Sequence, residues 1–170
     1  DISYRSFKAR NPGIISISPY LLKEYRNRWF VLCKRSGKPE ATILALDRME
    51  AIAPNHKMKF NKPKHFDVAH FFDDVIGVTK TLGQKTSKIV LHVTKDHAPY
   101  VLTKPLHLSQ KVLKEDETGL LISLDVIPNF ELEREIMGFA ENMEVRSPRV
   151  LRHRIEKKIK LMMLNYQLNE

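Results

Sequence analysis

Between Ser18 and Met49, aromatic and cationic side chains alternate closely enough to grip a nucleic acid or a nucleotide. Tyr20, Tyr25, Trp29 and Phe30 are interleaved with Lys23, Arg26 and Arg28, and Arg48 follows. Aromatic rings offer faces on which bases stack, and guanidinium groups supply bidentate phosphate contacts. Packing competes for the same rings. Along a strand Arg28 and Phe30 point one way and Trp29 and Val31 the other, so one of the two rings is expected in the core. Trp29 is assigned there because it shares its side with Val31. The candidate ligand-binding residues are therefore Tyr20, Lys23, Arg26, Arg28, Trp29, Phe30 and Arg48, with filling of a small core as the competing role.

Other chemistry is weakly supported. Gly83-Gln-Lys-Thr-Ser87 resembles the end of a phosphate-binding loop, but Gln84 separates the glycine from the lysine and Gly77 is six residues upstream. Of the seven histidines, His65 and His70 are five apart, His92 and His97 are separated by a strand end, and neither pair has a carboxylate cluster. Ser109 lies two residues from His107 without a nucleophile elbow. Asp73-Asp74 is a pair of sequence neighbours, and Cys33 sits in an apolar strand where a buried, inert thiol is expected. No catalytic set, metal site or cofactor motif emerges, and a binding protein is expected rather than an enzyme.

The charge balance agrees with an anionic partner. Of 170 residues, 29 are Lys or Arg and 20 are Asp or Glu, giving a formal charge of +9. The excess is uneven: residues 1–60 carry a net +7, 61–85 a net +1, 86–144 a net −4 and 145–170 a net +5. Two basic ends flank an acidic block, which favours nucleic acid, a nucleotide or another anion as partner. The single cysteine excludes an internal disulfide. No apolar run nears the ~18 residues that span a bilayer, and no signal peptide opens the chain. A soluble cytoplasmic protein is expected, without a membrane partner. The start at Asp1 reads as a piece of a longer chain.

The elements that must position these residues fall into two groups. Residues 1–60 read as short strands and turns: Ile2–Phe7, Ile14–Ile17, Arg28–Cys33 and Ala41–Leu46, a pattern that predicts a small antiparallel β-barrel. Residues 61–85 read as a linker, with a short helix at Phe66–Val75 suggested by apolar positions 68, 71, 72 and 75. Residues 86–170 alternate: a strand at Lys88–Thr94, a short segment at His97–Leu102, and a strand pair Leu106–Leu113 and Leu120–Ile127 across the turn Lys114–Gly119. A helix capped by Asn129 and a strand at Met143–Arg146 follow. The final helix, expected to be capped by Ser147, carries Leu151, Ile155, Ile159, Met162 and Tyr166 as a buried stripe. This β-α-β-β-α-β order is ferredoxin-like, and the fold class is α+β.

Pro19-Tyr20, Arg28-Trp29-Phe30-Val31 and Leu46-Asp47-Arg48-Met49 resemble the WYL domain of bacterial transcriptional regulators, and Ile2-Ser-Tyr4 suits its first strand. Lys104-Pro-Leu-His-Leu-Ser-Gln110, Glu144-Val-Arg-Ser-Pro148 and Leu151-Arg152 are similar to the C-terminal extension called WCX. The namesake Tyr and Leu are here Phe30 and Val31, and Ala45 replaces an arginine that many members carry. The resemblance implies an Sm-like WYL barrel at 1–60 and a WCX extension at 86–170. It also implies a ligand-sensing, homodimeric module that binds a nucleotide or single-stranded nucleic acid, with promoter DNA engaged by a preceding helix-turn-helix domain. A stand-alone nucleic-acid-binding protein is the alternative.

Overall fold

The computed structural model describes residues 1–63, 67–80 and 83–167. Two compact units divide between Phe72 and Asp73. The first holds six strands: β1 (Ile2–Tyr4), β2 (Gly13–Ile15), β3 (Ile17–Tyr25), β4 (Arg28–Arg35), β5 (Ala41–Ala45) and β6 (Met49–Ile52). They form two three-stranded antiparallel sheets, β2-β1-β6 and β3-β4-β5. Among the described residues the strands do not close into the single barrel that their spacing predicted. β1, β2 and β6 are three or four residues long, too short to continue the ladder of the long β3–β4 hairpin.

Register decides which side chains meet. Leu22 lies opposite Val31, which lies opposite Leu44, and Lys23 lies opposite Phe30, which lies opposite Ala45. Residues opposite each other share a face. Val31 and Leu44 of the first set join Ile2 and Cys33 in a buried cluster, with Ile15, Ile17, Leu46 and Met49 packed against it, while Leu22 stays exposed. The hairpin turns at Arg26 and Asn27, both with positive φ (52° and 60°), the geometry of a two-residue turn that follows strand twist. The Asn27 N–H donates to Glu24 Oε1 at 2.6 Å.

The helix expected at Phe66–Val75 is absent from its described part: residues 67–75 run as turns and bends, with Phe71, Phe72 and Val75 buried. Asp67 opens the stretch by accepting from the Ala69 N–H at 2.9 Å, a local bond that competes with a helical turn. His65 and Phe66 lie outside the described residues.

The second unit follows the order β-α-β-β-α-β and then a helix: β7 (Ser87–Thr94), α1 (Ala98–Thr103), β8 (Lys111–Asp116), β9 (Gly119–Val126), α2 (Phe130–Gly138), β10 (Met143–Ser147) and α3 (Arg149–Gln167). The antiparallel sheet runs β10-β7-β9-β8. Alternation along β7 sends Ile89, Leu91 and Val93 inward, where Leu120, Ile122 and Leu124 of β9 and helix residues such as Leu132 and Ile136 complete a large core. Asn129 caps α2 as expected, accepting from the Leu132 N–H at 2.8 Å. Its amide also donates to the carbonyls of Ile76 and Thr79, tying the start of the unit to this helix.

Three expectations shift. β8 begins at Lys111 instead of Leu106, because the Gln110 side chain accepts from the Leu106 N–H and donates to the Val101 carbonyl, folding 105–110 into a turn. The helix α3 starts at Arg149, with the Pro148 carbonyl accepting from the Arg152 N–H, while Ser147 ends β10. The stripe on α3 is buried only at Leu151 and Ile155; Ile159, Met162 and Tyr166 are exposed. A 19-residue helix reaches roughly 28 Å, farther than the core beneath it. Among the described residues, no helix is long and apolar enough to cross a membrane.

Candidate functional site

The seven sequence candidates do not converge. Tyr20 is the extra residue of a bulge between Pro19 and Leu21. Its hydroxyl donates to the Asn61 carbonyl at 2.7 Å, its ring meets Phe60 edge-on at 6.0 Å, and burial raises the phenol's pKa. Lys23 shares a face with Phe30, its ammonium 5.0 Å from the Phe72 ring centroid. Arg26 sits in the hairpin turn, 5.9 Å from the centre of the Tyr25 ring. Trp29 is on the opposite face from Lys23, alongside Val31 as expected, but it is 51% exposed. Its partner across the hairpin is Glu24, and both lie towards the hairpin tip, beyond the packed Val31–Leu44 pair. The core assignment of Trp29 is corrected accordingly.

Arg28 and Arg48 do come near a common point. A 3-10 turn, Leu46–Arg48, carries Asp47, whose carboxylate lies 3.3 Å from Arg28 Nε. The Arg48 guanidinium stacks 4.0 Å over the Phe7 ring, and its Nε is buried without a hydrogen-bond partner among the described residues. The Arg48 carbonyl accepts from the Arg5 N–H, while the Arg5 side chain pairs with Glu50 at 2.8 Å. Arg5, Phe7, Asp47, Arg48 and Glu50 line a cleft of about 370 Å³ with Ser6 and Ala9. Here a cation, a ring face and an unmet N–H are brought together, the chemistry that an anionic group beside an aromatic base would use.

A larger cavity, about 490 Å³, opens elsewhere in the same unit. Ile17, Leu22 and Val31 form one wall, Ile2, Met49 and Ile52 another, and the segment 53–60 borders it with Met58 and Phe60. Side-chain bonds pin that segment. The Asp1 carboxylate accepts from the Ser16 hydroxyl and from Asn55 Nδ2, the latter at 2.9 Å; the Asn61 N–H donates to Ser18 Oγ at 2.9 Å. Asn55 Oδ1 in turn accepts from the Lys57 and Met58 N–H groups. None of the seven candidates lines this cavity, although Tyr20 holds Phe60 and Asn61 at its border. By composition 53–60 is a polar loop, which hides its part in the cavity. The alternating Met58 and Phe60 within it were the available signal.

Among the described residues, no group of three or more His, Cys, Asp or Glu side chains converges to hold a metal ion.

Comparison with known proteins follows the two units. The WYL domain family matches residues 1–54 and the WCX domain family matches residues 85–163. No curated protein matches the chain. Among solved structures, a CRISPR Cas-related protein is 13% identical with a TM-score of 0.56, over 98% of this chain and 47% of that one. Proteasome accessory factor B/C (PafBC) of Arthrobacter aurescens is 17% identical with a TM-score of 0.38, over 91% of this chain and 23% of that one. The chain thus spans less than half the length of either structure, and the first likeness is one of fold.

Proposed function

The chain joins a WYL domain to a WCX domain, and from that premise we propose that it is the ligand-sensing, dimerising region of a transcriptional regulator. The observation that carries the reading is the presence of both domains in sequence, one in each compact unit. In this reading the first unit is an opened relative of an Sm-like barrel and the second is ferredoxin-like. The second unit's sheet order, fourth-first-third-second in its own numbering, supports the latter. The protein binds rather than turns over its ligand, acts in the cytoplasm as a homodimer, and works with a helix-turn-helix domain that contacts promoter DNA.

The ligand is single-stranded nucleic acid or a nucleotide, taken by the cleft of Arg48, Phe7 and Arg5 with Arg28 at its border. The buried Arg48 Nε, which has no hydrogen-bond partner among the described residues, and the ring stacked beneath its guanidinium support this choice. Fluorescence anisotropy with a labelled single-stranded oligonucleotide of about 12 nucleotides, at low and moderate salt, tests it. Affinity should fall with salt, and Arg48→Ala should weaken binding and flatten the log–log salt slope by about 0.7 per lost phosphate contact. An oligonucleotide ignored even at low salt, together with no binding of a nucleotide, would exclude this ligand class.

A further inference from the structure

The 490 Å³ cavity differs in chemistry from the arginine cleft. Its walls are largely aliphatic, with Ile17, Leu22, Val31, Met49, Met58 and Phe60 prominent. The polar side chains along it are already engaged: Ser16 and Asn55 with the Asp1 carboxylate, and Ser18 with the Asn61 N–H. Among the described residues its charged side chains are those of Asp1 and Lys59, one of each sign, and the Asp1 ammonium is already donating to the Ala53 carbonyl at 2.8 Å. A phosphate-bearing ligand placed here would lose its hydration without gaining matching cations, whereas apolar surface would be covered at no such cost. Leu22, Ile52, Met58 and Phe60 are each at least 40% exposed along one cavity. A contiguous apolar patch of that kind, on a unit this small, marks a binding surface. The volume lies within the range of small-molecule sites, roughly 300–1,000 Å³.

We infer that this cavity binds an uncharged, largely apolar small molecule, at a site separate from the arginine cleft. The inference does not depend on nucleic-acid binding. Charge complementarity selects the occupant: balanced charge and satisfied polar groups leave only apolar surface to be matched. Residues 53–60, fastened through Asn55 and neighbouring Asn61, border the bound molecule.

N-phenyl-1-naphthylamine, a neutral apolar fluorophore that brightens on leaving water, is the probe. Titration into the whole chain should give saturable binding of one probe per chain, unchanged between low and moderate salt and not displaced by oligonucleotide. Met58→Asp and, independently, Ile52→Asp place a charge on exposed positions of the cavity border. Each should weaken probe binding about tenfold or more while thermal melting still shows a folded protein. Met162→Asp, on the exposed stripe of α3, should leave binding unaltered. Non-saturating fluorescence, undiminished binding in either folded cavity variant, or loss of binding in Met162→Asp would overturn the inference. So would probe binding that vanishes as protein concentration rises, which would identify a second copy of the chain as the occupant. Failure here leaves the salt-dependent oligonucleotide result untouched, so the two readings fail separately.

Discussion

Cys33 has no solvent exposure in β4, where its thiol lies 3.5 Å from the Thr42 carbonyl oxygen. Burial disfavours the thiolate and pushes the pKa from 9.0 up to about 11, against a smaller opposing pull from Arg35. The unfolded chain therefore releases this proton at lower pH than the folded one. The stabilising effect of the neutral thiol is complete below pH 9.0, is lost as pH rises towards about 11, and changes no further above that. Urea denaturation at about pH 8 and about pH 10.5 checks it: the stability of the wild type should fall relative to Cys33→Ala between the two. A constant difference would mean the thiol titrates alike in both states. The inert thiol was legible because the four residues before it, Trp29 to Leu32, are all apolar. Trp29 was not, because alternation gives the face of a strand and says nothing about depth. Trp29 shares its face with Val31, yet only Val31 lies over the packed cluster. Nor could spacing show that the bulge at Tyr20 and the hairpin turn at Arg26 would scatter the aromatic and cationic set.

The β8–β9 hairpin shows what an element needs beyond its pattern. Its tight turn is set by the Asp116 carboxylate, which accepts from both the N–H and the hydroxyl of Thr118 at 2.8 and 2.6 Å. The bond from Lys114 first, and then these two, hold its pKa well below the usual carboxylate range. Gly119 then has φ +135°, and a Cβ there would lie 2.1 Å from the Val93 carbonyl oxygen on β7. Gly119→Ala must move the backbone of a central strand, and a loss of about 3 kcal/mol or more is expected in urea denaturation. Gly138, in α2, is the control, because a Cβ added there would meet nothing within 4 Å. Alanine at that position should be neutral or gain up to about 1 kcal/mol. Equal effects of the two substitutions would show that the close approach to Val93 is relieved cheaply. The sequence marked this turn through its charged run and glycine, and marked α2 through Asn129. It misplaced the start of β8, which Gln110 fixes by a bond to Val101 nine residues away. It also misread 67–75, where three of the four apolar positions at helical spacing, Phe71, Phe72 and Val75, bury from consecutive turns.

At the scale of the whole molecule, the two units differ in how much core they own. The cluster of the second draws on every strand except β8 and on all three helices, with Leu91, Val93, Ile122, Leu132 and Leu151 fully buried. Among the described residues the first unit buries fewer: Ile2, Val31, Cys33 and Leu44 form one cluster, Leu32, Ala45, Phe71 and Phe72 are buried besides, and an open apolar cavity lies in the same unit. A unit of about 70 residues buries only ~60% of the surface its unfolded chain exposes and is marginal on that count alone. The first unit is therefore expected to unfold at lower denaturant than the second. The chain supplies a reporter for each: its single tryptophan, Trp29, lies in the first unit, and among the described residues its α-helices all lie in the second. In one urea titration, the tryptophan fluorescence transition should precede the loss of helical circular dichroism. Two separated midpoints would mark a molecule that unfolds in two steps. Coincident curves would overturn the expectation, because they would require the smaller core to be stabilised to the level of the larger. A hydrophobic ligand of the first unit should raise only the fluorescence midpoint, by preferential binding to its folded form.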